Sequence, residues 1–381
     1  MAARWDIFCR VVDNFGDAGV AWRLARALVG EHSLSVRLWI DDPRSLVRMA
    51  PGVDAARDAQ RVAGVDIRKW QAPWVETDPA SVVVEAFGCG VPDDYVAALT
   101  RLPIPPVWFV LEYLSAESWV DGAHGLPSPH PRLALTRRFW FPGFTADSGG
   151  LLRERDLITA RESFRRDAAT RADFWSSLSV PAPHDGHCHV SLFCYPNPAL
   201  PALFDAWADG DDPVSCVIPD GVAAGALDAW TGGNVPHVGH PYARGRLLLH
   251  TIPFLAQDDY DRLLWASDVN FVRGEDSFVR AQWAARPFVW HIYPQSDNAH
   301  VRKLDAFVDR YAAALDADSA AAVRRLFHSW DGPDRGDVGE AWRAFAAARG
   351  PLERHASAWA AQLAALPELA AGLVNAASDR V

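Results

Sequence analysis

The feature that most constrains the fold is an alternation of short apolar runs with amphipathic segments, which occurs twice along the chain. Residues 5–12 form a β-branched and aromatic run typical of a buried strand, and residues 20–31 carry apolar side chains at helical spacing. A loop over 13–19 separates them, and residues 34–41 predict a second strand. A strand, a loop, a helix and another strand in this order indicate the opening of a parallel α/β layer.

The alternation restarts at residue 188, after the segment PAPHDGH (181–187), which we interpret as a linker. Before it, residues 115–150 are rich in Gly, Pro and Ser and too long for an ordinary connection, so we expect a functional loop region there. Residues 151–178 then predict a charged helix.

The length of 381 residues suggests two or three domains. The predicted boundaries give an α/β domain over 1–183, a second α/β domain over 184–351, and a helical segment over 352–381 that can pack back on the first domain. Because ligands of open parallel sheets bind beyond the carboxyl ends of the strands, we expect the site in a cleft between the two domains.

The charge balance argues against a protein that coats nucleic acids. The chain has 37 basic and 48 acidic residues and a net charge of −11, whereas a nucleic-acid-binding domain is expected to be basic. We therefore expect no nucleic-acid partner.

The cysteines and the N-terminus bear on the compartment. Five cysteines, an odd and sparse set without a CxxC motif, favour a reducing environment. The N-terminal MAARWDIFCR lacks the apolar region of a secretory signal, and no uncharged apolar run reaches the ~18 residues that a membrane helix needs. We expect a cytoplasmic protein that does not bind membranes.

The first candidate for chemistry is the segment DNFGDAG (13–19), directly after the first predicted strand. A dinucleotide site would need G-x-G-x-x-G here, so that the backbone can approach a pyrophosphate. Asp13 and Asp17 disfavour that anion and suit a cationic or proton-donating substrate, with one carboxylate as base and the other as orienter. The alternative is that either aspartate merely caps the following helix.

The second candidate is the segment RGEDSF (273–278), between a predicted strand and a predicted helix. A helix N-terminus offers free N–H groups and the positive end of the helix dipole to a phosphate. Arg273 could pair with that phosphate bidentately, and Ser277 could cap the helix or donate its hydroxyl. The alternative is capping and solvation alone.

The third candidate is a set of aromatic residues at the carboxyl ends of strands in the second domain. Phe193 and Tyr195 end one predicted strand and Phe254 ends another, so their faces could stack a nucleobase. Gln257 follows closely and could hydrogen-bond a base edge. The alternative for the aromatic rings is packing in the core.

Two patterns that suggest a metal site are weaker. His184, His187, Cys188 and His189 fit no usual zinc spacing and run into a strand, where alternate side chains point in opposite directions. The D-x-D sequence at 209–211 lies in a turn, at the amino end of the next predicted strand, which is the wrong edge of the sheet. We expect no metal at either place.

Long stretches of the chain resemble one family, the elongation factor P (EF-P) arginine rhamnosyltransferases, called EarP. The similarity extends over residues 11 to 307, and RGEDSFVRAQWA is its most specific block. The matching stretches are DNFGDAGVAWRLARAL, LEYLSAESW, FWFPGFTADSGGLLRERDL, SLFCYPNPAL, the block from PFLAQDDY to WHIYPQ, and DNAHVRKLDAF.

The resemblance implies a GT-B fold, in which two Rossmann-like domains face each other across a cleft. By the same resemblance, residues 1–183 bind the acceptor protein and residues 184–351 bind a nucleotide sugar. L-rhamnose would pass from dTDP-β-L-rhamnose to one arginine of EF-P with inversion, without a metal or other cofactor. The matching catalytic positions are Asp13, Asp17 and Glu275, and the matching donor positions are Phe193, Tyr195, Phe254, Gln257, Tyr260, Arg273, Asp276 and Ser277.

Two other functions stay open at this point. One is a different GT-B transferase or an epimerase with a small acceptor. The other is a catalytically silent GT-B module that binds a nucleotide or EF-P. The three carboxylates Asp13, Asp17 and Glu275 speak against the silent module, which has no need of all of them.

Overall fold

The computed structural model describes residues 4–71, 74, 77–182, 186–295, 298–331 and 336–379. The chain divides into two compact units. Unit 1 consists of the described residues of 1–155 and 363–381, and unit 2 consists of those of 156–362.

Within the described residues, unit 1 is built on an eight-stranded sheet with the order β3-β4-β2-β1-β5-β6-β8-β7. The pairs β3–β4 and β7–β8 are antiparallel and the other pairs are parallel. Buried parallel strands read as continuous apolar runs, which is why the sequence predicts the central strands well. The strands are β1 (Arg4–Cys9), β2 (Ser35–Ile40), β3 (Ala59–Val62), β4 (Val65–Lys69), β5 (Val82–Ala86), β6 (Val107–Leu111), β7 (Pro127–Pro129) and β8 (Thr136–Trp140).

The main helix of unit 1 joins β1 to β2 and buries most of its residues. On one face of the sheet, the rings of Phe8, Trp39 and Tyr95 lie in a single apolar cluster. The helices of this unit are α1 (Asn14–His32), α2 (Arg44–Val47), α3 (Asp93–Leu99), α4 (Trp119–Ala123) and, near the C-terminus, α15 (Leu369–Ser378).

The described part of unit 2 contains a six-stranded sheet with the order β11-β12-β10-β9-β13-β14, parallel except for the pair β11–β12. The strands are β9 (Cys188–Leu192), β10 (Val214–Pro219), β11 (Tyr242–Arg244), β12 (Leu247–Ile252), β13 (Val269–Arg273) and β14 (Phe288–His291).

The helices of unit 2 include α10, in which all nine residues are buried. The helix α14 runs across the division at residue 362 and into unit 1. The helices are α5 (Leu157–Arg166), α6 (Ala168–Ser177), α7 (Leu200–Ala208), α8 (Ala224–Thr231), α9 (Gln257–Ala266), α10 (Asp276–Ala284), α11 (Ala299–Ala312), α12 (Ala317–Asp331), α13 (Val338–Ala347) and α14 (Arg349–Ala364).

This division differs from the predicted boundary at 183/184, which falls on residues outside the described part. The chain passes into unit 2 earlier, at residue 156, because α5 packs on other elements of that unit. The Arg161 guanidinium donates to the carbonyl of Trp283 at the end of α10 (2.7 Å), and Phe164 packs on Trp265 of α9 (ring centroids 5.8 Å apart).

At the C-terminal end, the division at 362/363 differs from the predicted boundary at 351/352. The Leu369 N–H donates to the Leu151 carbonyl (3.2 Å), and the Arg153 N–H donates to the Glu368 carboxylate (3.2 Å). These bonds hold the last helix, α15, on the rest of unit 1.

Three local predictions are corrected. Residues 14–19, predicted as a loop, form the first turns of α1, because the Asp13 carbonyl accepts the first helical hydrogen bonds. The stretch 115–150, predicted as a loop region, contains α4 and the hairpin β7–β8, and β8 extends the main sheet by pairing with β6. Residues 151–178, predicted as one helix, form two helices that meet at Asp167.

Candidate active site

Asp13 lies beyond the carboxyl end of β1 and directly before α1. Its carbonyl oxygen accepts hydrogen bonds from the N–H groups of Gly16 (2.7 Å) and Asp17 (3.2 Å). Although Asp13 stands at the N-cap position, its side chain makes no capping hydrogen bond within the described part of the chain. The capping alternative therefore does not account for the Asp13 carboxylate.

Asp17, one turn into α1, holds the backbone that carries Asp13. Its Oδ2 accepts the N–H groups of Val12 and Asp13, each at 2.8 Å, and its Oδ1 accepts the hydroxyl of Tyr113 (3.2 Å). Burial raises the pKa of the Asp17 carboxyl and the nearby charge of Asp13 raises it further, while the three hydrogen bonds lower it. The geometry shows that Asp17 orients the Asp13 backbone; which of the two aspartates is the base and which orients the substrate stays a prediction.

Gly16 is required by the close approach of the Asp13 carboxylate. A Cβ at this position would lie 2.3 Å from Asp13 Oδ2, which is far inside van der Waals contact. Any other residue at position 16 would push the Asp13 side chain out of its place. Gly16 of the DNFGDAG segment thus makes room for the Asp13 carboxylate.

Sequence reasoning missed Tyr113 and Phe87, which lie at this same edge of the sheet. Tyr113 follows β6 and Phe87 follows β5, and their rings stack with centroids 4.4 Å apart and 15° between the planes. Tyr113 belongs to the LEYLSAESW stretch. Its position just after a buried strand was the one sequence signal that could have placed it at this edge of the sheet. Its contact with Asp17 spans 96 residues and could not be read from local spacing.

In unit 2, Arg273 ends β13 with its guanidinium between two aromatic rings. The guanidinium carbon lies 4.5 Å from the ring centroid of Phe193 and 4.6 Å from that of Tyr195. It also donates to the Cys194 carbonyl (3.2 Å). The structure thus brings together three residues that were predicted to bind the nucleotide sugar. It shows that the two rings position the Arg273 guanidinium. Stacking of a nucleobase on these rings stays a prediction.

Asp276 opens α10 within a buried polar network. Its Oδ2 accepts the amide of Gln257 (3.0 Å) and the guanidinium Nε of Arg280 (2.9 Å), and Arg280 also pairs with Asp261 (2.6 Å). Arg280 is 1% exposed and was not singled out by the sequence. The network joins Gln257 and Asp276, two residues that were predicted to bind the nucleotide sugar. It also fixes the starts of α9 and α10 relative to each other.

The turn between β13 and α10 is closed by Ser277 and Gly274. The Ser277 hydroxyl accepts the Arg273 N–H (3.0 Å) and donates to the Arg273 carbonyl. Gly274 has a φ of 60°, in the left-handed region that favours glycine. Glu275 stands at the N-cap position of α10, where its side chain makes no capping hydrogen bond to described residues.

Phe254 and Tyr260 complete the aromatic group around Phe193. The ring centroid of Phe193 lies 6.0 Å from that of Phe254 and 5.7 Å from that of Tyr260, in edge-to-face contacts. Burial raises the pKa of the Tyr260 phenol, which lies beside Ser277. A further aromatic residue, Tyr293, packs edge-to-face on Tyr195 (5.6 Å) and is 40% exposed. Tyr293 was not singled out in the sequence, although it follows β14 at this edge.

The two weaker metal-site patterns of the sequence, the His/Cys cluster at 184–189 and the D-x-D at 209–211, belong to neither of the candidate groups described above. His184 lies outside the described residues, and the rings of His187 and His189 stack with centroids 6.4 Å apart near the amino end of β9. The D-x-D at 209–211 follows α7 and precedes β10, at the predicted amino edge. Within the described ranges, no group of three His, Cys, Asp or Glu side chains could hold a metal ion.

No helix among the described residues combines the length and the apolar character needed to cross a membrane.

Comparisons with known proteins agree on one family. The profile described as "Elongation-Factor P (EF-P) rhamnosyltransferase EarP" matches residues 5–378. The chain is 49% identical to the protein-arginine rhamnosyltransferase of Pseudomonas putida over 375 residues, 98% of each chain. It is 43% identical to that of Pseudomonas aeruginosa over 377 residues, 99% of each chain.

Solved structures show the same relationship and the fold. One, described as "Structural basis for EarP-mediated arginine glycosylation of translation elongation factor EF-P", has a TM-score of 0.71 at 36% identity and covers all of both chains. A glycosyltransferase from Rickettsia africae has a TM-score of 0.53 at 7% identity over 100% of this chain and 98% of its own, which bears on the fold alone. The GT-B fold class is confirmed, and the chain, an enzyme of the glycosyltransferase class, belongs to the EarP family.

Proposed function

We propose that this enzyme transfers L-rhamnose from dTDP-β-L-rhamnose to the side chain of one arginine of EF-P, with inversion at the anomeric carbon. The names of its relatives support rhamnose and a protein arginine, and the description of the solved relative supports EF-P. The observation that carries the proposal is the arrangement of Asp13 and Asp17 at the carboxyl edge of the first sheet.

An arginine acceptor explains why this edge carries carboxylates. The guanidinium is a cation with a pKa above about 12, so it needs both charge neutralisation and a base. Asp17 accepts three hydrogen bonds and holds the Asp13 backbone in place, and we assign the general base to Asp13, which stands directly before α1 at this edge. As the guanidinium nitrogen forms a bond to the anomeric carbon, its proton passes to Asp13.

The donor side of the reaction is assigned to unit 2. The bond from the anomeric carbon to the diphosphate oxygen breaks, and dTDP leaves with the electron pair. Attack on the face opposite to the leaving group inverts the anomeric centre. Arg273 and the N–H groups at the start of α10 supply positive charge for the diphosphate, as P-loop and related phosphate sites do at other helix N-termini. Glu275 is proposed to orient the sugar or the acceptor.

We also propose that the reaction takes place in the cytoplasm. All five cysteines are free, and Cys9, Cys188, Cys194 and Cys216 are buried thiols. Free thiols are typical of a reducing compartment.

The test is the intact mass of EF-P after incubation with the purified enzyme and dTDP-β-L-rhamnose. We expect the mass of one deoxyhexose to be added, located on a single arginine by fragmentation. Matched controls replace the donor by a dTDP-hexose of another configuration and replace the acceptor arginine by lysine. An unchanged EF-P mass with active dTDP-β-L-rhamnose would contradict the proposal, and transfer to a small acceptor instead would favour a different GT-B reaction.

A further inference from the structure

The stacked pair of Phe87 and Tyr113, which we call the Phe87–Tyr113 pair, lies where the first sheet presents its chemistry. Phe87 follows β5, Tyr113 follows β6, and β5 is the neighbour of β1 in the sheet. The carboxyl ends of these parallel strands share one edge, and Asp13 follows β1 at that edge. Both aromatic residues are half-buried.

The backbone at Phe87 is held in an unfavourable conformation. Its φ is 57°, in the left-handed region, which is an outlier for a bulky aromatic residue. The Phe87 N–H donates to the Leu111 carbonyl (2.6 Å), and the Glu85 carboxylate accepts the N–H of Gly90 (3.0 Å), so the loop is fixed from both sides. Conformations of this kind persist where the surroundings impose them, and they cluster at ligand sites.

The Phe87–Tyr113 pair is connected to the carboxylates and has open space beside it. The Tyr113 hydroxyl donates to Asp17 Oδ1 (3.2 Å), and Asp17 in turn accepts the Asp13 N–H. A Cβ built on Gly88, the residue after Phe87, would meet no atom within 4 Å. The loop that carries Phe87 therefore borders open space at Gly88, which is exposed.

We propose that the Phe87–Tyr113 pair is the surface on which the plane of the acceptor guanidinium lies during transfer. This inference rests on the proposed function. A guanidinium is planar, delocalised and weakly hydrated, so it stacks on aromatic faces while its N–H groups bind carboxylates in its own plane. An ammonium group has no such plane. The pair would therefore select arginine over lysine, and Asp13 and Asp17 would supply the countercharge.

The test separates the ring from the backbone by substituting Phe87. Phe87→Gly removes the ring and suits the positive φ. The lost stacking on Tyr113 opposes the relief of the backbone, so the melting temperature should stay close to that of the parent. We expect the KM for EF-P to rise about 3- to 20-fold, in line with the loss of a cation–π contact, with the KM for the nucleotide sugar unchanged. Phe87→Tyr keeps the aromatic face and should keep the acceptor KM within about twofold of the parent.

A matched control is Ser33→Gly, which relieves a φ of 55° at the end of α1 without removing a ring. It should leave both KM values unchanged. Phe87→Leu, which keeps apolar volume but no aromatic face, provides a second test if the glycine variant folds poorly, and its acceptor KM should also rise.

An acceptor KM unchanged in both Phe87→Gly and Phe87→Leu, while the parent enzyme modifies EF-P, would overturn the stacking proposal and leave the proposed function intact. Equal rises in the donor and acceptor KM values would likewise assign Phe87 a structural role. Failure of the parent enzyme itself to modify EF-P would overturn both.

Discussion

The hydrogen bonds of Asp17 predict that substitution by alanine destabilises unit 1. Asp17→Ala leaves the buried N–H of Asp13 without its acceptor, whereas the bond from the Val12 N–H is only partly buried, so water can replace the lost acceptor there more readily. A buried donor left unsatisfied costs about 1–3 kcal/mol, and the Tyr113 hydroxyl adds a smaller loss. Burial disfavours the charged Asp17 carboxylate, so its removal offsets part of this loss of stability. We therefore expect the free energy of unfolding to fall by about 2 kcal/mol.

Asp17→Asn should behave differently. Its amide oxygen can accept the same two N–H groups, and its NH₂ can donate to the Tyr113 oxygen, so stability should stay within about 1 kcal/mol of the parent. Both variants should transfer rhamnose more slowly, because both lose the negative charge beside the acceptor. The alanine variant also loses the anchor of the Asp13 backbone.

The assay is thermal unfolding at neutral pH, supported by amide hydrogen exchange over residues 11–17. At about 2–4 °C per kcal/mol for a unit of this size, the melting temperature of Asp17→Ala should fall by about 4–8 °C. Asp54→Ala is the matched control, because the Asp54 carboxylate also accepts a backbone N–H (Ala56, 2.9 Å) but at an exposed site where water can replace it. A melting temperature of Asp17→Ala equal to that of the control would refute the reasoning, and so would an Asn variant as unstable as the Ala variant.

The remaining predictions concern the base, the donor site, acid stability and metal. Asp13→Asn should keep the melting temperature and the dTDP affinity but lower the transfer rate about 10²- to 10⁴-fold, and retained transfer would mean that Asp13 is not the base. Arg273→Ala should weaken dTDP binding by about 1.5–3 kcal/mol in calorimetry, and an unchanged affinity would remove Arg273 from the donor site. Burial lowers the pKa of His250 from 6.5 to about 4, with the charge of His189 adding to the effect. Between pH 6.5 and pH 4 the folded state therefore binds fewer protons than the unfolded state. The free energy of unfolding should fall by up to about 3 kcal/mol as the pH drops over this range. In denaturant titrations, His250→Gln should lose less stability over the same range. Transfer should continue in excess EDTA, and a loss restored by Mg²⁺ or Mn²⁺ would show that the diphosphate needs a metal.

Much of the architecture could be predicted because it is encoded locally. The apolar runs at 5–12 and 188–195 indicated the first strand of each sheet. β1 and β9 begin within one residue of the start of these runs and end three residues before the runs end. The helix that follows β1 was predicted to start too late, at residue 20. Glycine and aspartate at 13–19 suggested a loop, whereas the Asp13 carbonyl begins the helix at residue 14.

Asp13, Asp17 and Arg273 were singled out by the same local logic, since their segments follow or end predicted strands, whereas Glu275, Asp276 and Tyr260 came from the family resemblance. What each side chain does there was not local. Asp17 could have been base, cap or orienter. Its bonds to the Val12 and Asp13 N–H groups show that it anchors the backbone before α1, and its part in the reaction stays a prediction. Arg280 was overlooked because nothing near it in sequence shows that it joins Asp276 to Asp261.

The sequence by itself determined two α/β layers, the strand ends at which the carboxylates and Arg273 lie, and an acidic chain without a nucleic-acid-binding composition. The tertiary structure alone decided where the units divide, that Tyr113 reaches Asp17, and that Phe193 and Tyr195 enclose the guanidinium of Arg273. The physical reason is range. Hydrophobic periodicity acts over a few residues and is visible in the sequence, whereas these contacts depend on the order of strands in each sheet, which brings together residues about 80 to 100 positions apart.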